Sequence, residues 1–197
     1  MAFHYTNELI DAALTYPNYC KQIKETLDCV PTDAASEKMR PYLTVNSALM
    51  EDYDKSYRVS DSLLDAVNLS PSTTWLVITE GWCGDAAFNV PLFYVLEQLM
   101  PEKVKLRLVL RDNNPEIMDA HLTDGGRSIP KLIVLNNDLK PLGFWGPRPA
   151  GLQQQVKLWK DDGLGLKELI PKVHSWYNAD KTRTLQQELI RMIRHYS

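Results

Sequence analysis

The sequence predicts a mixed α/β fold, a small sheet layered between helices, with further helices before and after it. Three observations carry that expectation. Trp75–Thr79 is an apolar, β-branched run of the kind buried on both faces of a sheet. Residues 104–110 alternate apolar with less apolar side chains, the periodicity of a strand. Between them Phe88, Leu92, Val95, Leu96 and Leu99 recur at helical spacing. Strand, helix, strand in that order calls for a parallel pair joined by a crossover.

Taken in order, residues 1–56 carry helical patterns and no clear strand. Leu9, Ile10, Ala13 and Leu14 form a stripe that Pro17 interrupts. Tyr19, Ile23 and Leu27 continue it until Cys29-Val30-Pro31 stops the pattern. A further helix is expected to begin near Pro41, since proline suits a first helical position. Tyr42, Val45, Leu49 and Tyr53 would give it an apolar face. The region reads as a helical extension packed on the core. Ser60 or Asp61 can cap the next helix, with Leu63, Leu64 and Val67 facing inward.

The helix after Cys83 should bend at Pro91, whose ring removes one hydrogen bond, and should end at Met100-Pro101. Asn113-Asn114-Pro115 opens a short helix, and Gly125-Gly126 breaks the chain again. Lys131–Leu135 and Leu139–Trp145 flank Asn136-Asn137-Asp138 and read as a β-hairpin, with Pro141 marking an edge strand. Three helical stripes follow. The first holds Leu152, Val156 and Trp159, the second Leu169, Val173 and Trp176, and the third Leu185, Leu189, Met192, Ile193 and Tyr196. The expected organisation is a core domain at 57–160, an N-terminal extension at 1–56 and a C-terminal helical extension of the same domain at 161–197.

Composition narrows the function classes. A 197-residue chain that is 44% hydrophobic and 24% charged is an ordinary globular protein of one domain with additions. A net charge of -3 without a basic block argues against a nucleic-acid partner. No run approaches the roughly twenty apolar residues of a membrane span. The first residues lack the apolar core of a signal peptide. Three cysteines fit a reducing compartment better than a disulfide framework. A cytoplasmic protein is expected. His4, His121, His174 and His195 form no metal-ligand spacing, so neither a metal nor another cofactor is anticipated.

The chemistry concentrates in Thr74–Pro91, where a strand ends at Trp82-Cys83 and Gly84-Asp85-Ala86 opens a helix. An exposed thiol there would meet free N–H groups and the positive end of the dipole, which favour the thiolate. Asp85 opposes this with its own charge. The competing reading is a small, inert packing residue. Ala86 stands where a dithiol site would carry its second cysteine.

Several motifs in register resemble the thioredoxin-like superfamily over about residues 57–160. They are W-C-G-D-A at 82–86, Pro91 in the following helix, and R-S-I-P-K at 127–131 with Gly146 beyond it. Together with W-G-P-R-P, the set looks like a bacterial branch that keeps one cysteine in W-C-G-D-A. The resemblance implies a cis-proline at Pro130, a loop glycine at Gly146, and the backbone of Ile129 open to an extended peptide. It implies Cys83 as nucleophile, with Trp82, Gly84, Asp85 and Trp145 around it. Arg127 and Arg148 could face Cys83 and hold an anionic group, or pair with Asp112, Asp119 or Asp124. Val77 stands where many thioredoxins carry a buried carboxylate. Cys20 or Cys29 could act as a distant resolving thiol, or simply pack.

The expected function is therefore single-cysteine redox chemistry on a protein or low-molecular-weight thiol or disulfide partner. A peptide-binding module without catalysis and a thiol-oxidation sensor remain open beside it.

Overall fold

The computed structural model describes residues 3–196. Helices α1 (Asn7–Ala12), α2 (Tyr16–Asp28), α3 (Ala34–Ser56) and α4 (Asp61–Leu69) precede strand β1 (Thr73–Thr79). Helix α5 (Gly84–Leu99) leads to β2 (Val104–Leu110), and α6 (Pro115–Asp119) to the hairpin of β3 (Lys131–Leu135) and β4 (Pro141–Trp145). The chain closes with α7 (Ala150–Asp161), α8 (Leu166–Asp180) and α9 (Arg183–Tyr196). This is a mixed α/β, thioredoxin-like fold with added terminal helices.

The sheet order is β2-β1-β3-β4, with β1 and β2 parallel and the other pairs antiparallel. Residues opposite one another across a ladder share a face, so register shows which helix covers which side. Trp75 lies opposite Val134, and Val134 opposite Gly143. Trp75 meets Phe93 of α5 edge-on at 5.6 Å. A Cβ on Gly143 would come within 2.8 Å of Met192 in α9. Helices α5 and α9 therefore share that face. On the other face Leu76, Ile133 and Phe144 lie in line. There the Phe144 ring sits 5.2 Å from His121, whose ring in turn stacks on Tyr5. Leu76, Val77, Ile78, Leu132, Ile133, Val134 and Leu135 are fully enclosed, which explains why their segments read as unbroken apolar runs.

Three N-terminal expectations are corrected. The helix expected near Pro41 begins at Ala34, because the Asp33 carboxylate accepts a hydrogen bond from Ser36 N at 2.7 Å and caps it there. Pro41 is interior to α3, where it cannot donate to the helix ladder. Leu14 does not continue the stripe of α1. Ala13 turns extended, and Leu14 exchanges two 2.8 Å backbone bonds with Leu108, protecting the outer edge of β2. Pro17 lies in the first turn of α2 rather than breaking a helix, and Thr15 caps that turn.

Candidate functional site

Cys83 is the N-cap of α5, at the end of the turn that follows β1. Four contacts shape this turn. A Cβ on Gly81 would lie 2.8 Å from the Ile23 side chain, so α2 packs directly on the backbone there. Asn46 of α3 donates from Nδ2 to Gly81 O at 2.9 Å, satisfying a buried carbonyl. The Glu80 carboxylate accepts from Asp112 N at 2.9 Å and ties the turn to the end of β2. The Arg111 guanidinium covers the Trp82 ring at 4.7 Å.

The Cys83 thiol donates to Ile129 O at 3.3 Å. The Ile129–Pro130 peptide bond is cis, as is Gly146–Pro147. Gly146 adopts φ +113°, and a Cβ there would stand 2.2 Å from Pro130 O. Only glycine lets the two loops approach this closely. Cys83, Ile129, Pro130 and Gly146 are thus brought to one place.

The environment of the sulfur differs from the expected exposed, activated thiol. Cys83 is 8% exposed. Burial pushes the thiol up to about 12, and the Asp85 charge adds to that rise. The Ala86 and Asp85 N–H groups and Arg148 act in the opposite sense but do not prevail. Val77 and Ala86 are also buried, and their hydrocarbon side chains supply neither a base nor a second thiol.

Asp85 is the centre of a buried polar network. Arg148 holds it with two bonds, Nε to Oδ1 at 2.9 Å and Nη2 to Oδ2 at 2.5 Å. Tyr177 of α8 donates its hydroxyl to Oδ1 at 2.9 Å. Asn89 donates from Nδ2 both to Asp85 O at 2.6 Å and to the Tyr177 hydroxyl oxygen at 2.9 Å. Burial pushes the Asp85 carboxyl up, while the paired guanidinium pulls it back down. His174, one turn before Tyr177, lies beside Gly84: a Cβ there would be 3.8 Å from His174 Nε2.

The remaining sequence-derived candidates are dispersed. Arg127 points away, paired through Nε and Nη2 with both carboxylate oxygens of Asp119 at 2.7 Å on the surface. Arg148 joins Asp85 rather than any of the surface aspartates expected as its partners. Trp145 is core: buried, edge-on to Phe93 at 5.9 Å, its indole N–H donating to Glu188 at 2.6 Å. Trp82 is partly exposed under Arg111. Cys20 is half-buried with its thiol pushed up to about 11 by burial, and Cys29 is exposed. Both are free thiols, as is Cys83. Sequence reading missed Asn89, His174 and Tyr177. Tyr177 continues the spacing of Leu169 and Val173, so its inward direction was readable, but its polar partner 92 positions away was not. Among the described residues no cluster of histidine, cysteine and carboxylate side chains could hold a metal ion, and no helix is long and apolar enough to cross a membrane.

Comparison with known proteins agrees with this architecture. The thioredoxin family matches residues 32–160, beginning in the α2–α3 connection, ahead of position 57. The fold is similar to that of an HIV epitope scaffold, with a TM-score of 0.64 at 14% identity over 98% of this chain and 100% of that one. It is also similar to a Pseudomonas aeruginosa protein of unknown function, with a TM-score of 0.62 at 16% identity over 99% and 100% of the two chains. At such identities the likeness speaks for the fold alone. No curated protein matches the chain. With its sheet order, its Cys83 turn and its matched span, the chain belongs to the thioredoxin family.

Proposed function

We propose that the protein carries out thiol–disulfide chemistry through Cys83 alone. The observation that supports this most is the placement of the sulfur: on the N-cap of α5, facing Ile129 O beside Pro130, with N–H groups of the first helical turn directed at it. The Cys83 thiolate attacks one sulfur of a disulfide, forming a mixed disulfide and releasing the other sulfur as a thiolate. A low-molecular-weight thiol then attacks that mixed disulfide at the substrate sulfur. Cys83 leaves as thiolate and the small thiol carries the substrate away as a new disulfide. Val77 and Ala86 fit this scheme, because a site with no second thiol needs no base to deprotonate one.

Incubation with glutathione disulfide followed by mass spectrometry of the peptides tests the reading. A mixed disulfide on Cys83, released by added thiol and lost in Cys83→Ser, is the expected result. Full modification of exposed Cys29 with none at Cys83 would sink it.

A second reading is a binding module that uses the Pro130 loop without catalysis. The burial of Cys83 favours it. If Cys83→Ala retained every partner that the unmodified protein binds, this second reading would gain at the expense of the first.

A further inference from the structure

Helices α2 and α3 enclose a cavity of about 600 Å³ with the 80–82 turn and the end of β2. Cys83 is not among the residues that line it. The walls are mostly apolar: Ile23 and Leu27 of α2, Val30 of the connection, Met39 and Leu43 of α3, and Trp82. Val30 is 84% exposed, an apolar side chain left in water beside an apolar hollow. Size and lining are those of a small-molecule site, which is largely apolar with a few placed polar groups. The chain around the cavity is tied down. Arg40 of α3 donates from Nη1 to Cys29 O at 2.8 Å and from Nη2 to Leu27 O, which pins the end of α2 to α3.

The charged side chains that line the cavity are Glu25, Arg40 and Glu80. Arg40 is spent on the two α2 carbonyls, at the negative end of that helix. Glu25 is exposed, with Lys21 3.6 Å away. Glu80 differs from both. It is 8% exposed, and its Oε1 takes one hydrogen bond, from Asp112 N at 2.9 Å. Among the described residues no lysine, arginine or histidine forms an ion pair with it. Burial pushes its carboxyl up, and neither the Asp112 N–H nor the Arg111 guanidinium cancels the rise. A buried carboxylate without a cation beside it is the group in this cavity that a ligand of opposite charge would satisfy.

We propose that this cavity binds a small organic amine, its hydrocarbon body against Ile23, Leu27, Met39 and Leu43 and its ammonium group on the Glu80 carboxylate. The site is separate from the thiol chemistry proposed for Cys83 and does not depend on it. An alkylamine is charged at neutral pH, as a lysine side chain is. Its ammonium group supplies the charge-assisted hydrogen bond that Glu80 lacks. An alcohol of the same shape keeps the apolar contacts and loses the ion pair. An acid of the same shape brings a second negative charge to Glu80 and is rejected.

The test titrates the full, isotope-labelled chain at neutral pH with n-octylamine, n-octanol and n-octanoate, and follows the amide signals by NMR. Octylamine should give saturable shifts at Leu27, Leu43 and Gly81. It should bind about tenfold or more tighter than octanol, the scale of one hydrogen bond to a charged group, and tighter still than octanoate. Glu80→Gln keeps an acceptor for Asp112 N and removes the charge, so it should bring octylamine down to the level of octanol. Ala35→Phe, at an exposed lining position, adds a ring to the cavity and should weaken octylamine and octanol alike. Octanol or octanoate binding the unmodified chain as tightly as octylamine overturns the proposal. So do octylamine shifts that fail to saturate, or that survive Ala35→Phe unchanged. Should Glu80→Gln fail to fold, the preference of the unmodified chain for amine over acid, and the loss of amine binding in Ala35→Phe, decide.

Discussion

Helix α5 offers Cys83 the N–H groups of Asp85 and Ala86, yet taking the sulfur out of water outweighs them. A rise from the ordinary thiol value near 9 to about 12 corresponds to roughly 4 kcal/mol against the thiolate. A helix terminus returns only about 0.3–2 kcal/mol. In this conformation the thiol is neutral at any physiological pH. The carbon chemical shift of Cys83 Cβ, in a Cys20→Ser, Cys29→Ser background, should therefore stay constant between about pH 6 and about pH 10. A titration centred near 7 would show that burial does not govern this thiol. The sign follows for stability too. With the folded value raised, the contribution of the neutral thiol is fully present below its ordinary value near 9. It is lost as pH rises through about 12.

At the scale of elements, helix α3 shows local signals in competition. Pro41 is the residue that sequence reading used as a start, yet Asp33 and Ser36 supply a true cap eight residues earlier. Proline in a helix interior leaves one carbonyl unpaired and crowds the turn before it. Pro41→Ala should therefore raise stability, by about 1–2 kcal/mol after the greater freedom of the unfolded chain is deducted. Urea denaturation measures it, and a lower midpoint would contradict the assignment. The strands were legible for a different reason. Residues 75–79 and 132–135 are enclosed on both faces of the sheet, so their composition alone betrays them. The turn and loop motifs around Cys83, Pro130 and Gly146 were legible because each is a local chain geometry. The Asp85–Arg148–Tyr177 network was not, since it joins α5, the loop after β4 and α8, and nothing in any one of those segments names the others.

For the whole molecule, the question is whether residues 57–160 can stand without their extensions. The structure gives a physical answer. Ile23 of α2 fills the space against Gly81, and Asn46 of α3 satisfies the Gly81 carbonyl. Leu14 closes the edge of β2, while Met192 of α9 covers Gly143 on the face shared with Trp75. Removing 1–56 and 161–197 would expose that apolar face, open a strand edge and orphan a buried carbonyl at the turn that carries Cys83. An orphaned carbonyl alone costs about 1–3 kcal/mol, and truncation of several buried apolar side chains costs about 2–5 kcal/mol for each. Against a total stability of about 5–15 kcal/mol, the fragment should not fold cooperatively. Thermal unfolding of fragment 57–160, followed by circular dichroism, should show no sharp transition, whereas the full chain shows one. A cooperative transition in the fragment would mean that the helices before and after the sheet are attachments to a self-sufficient core. Its absence would mean that the thioredoxin fold here is completed by helices outside the motifs that identify it, and that the Cys83 turn depends on α2 and α3 as much as on the sheet.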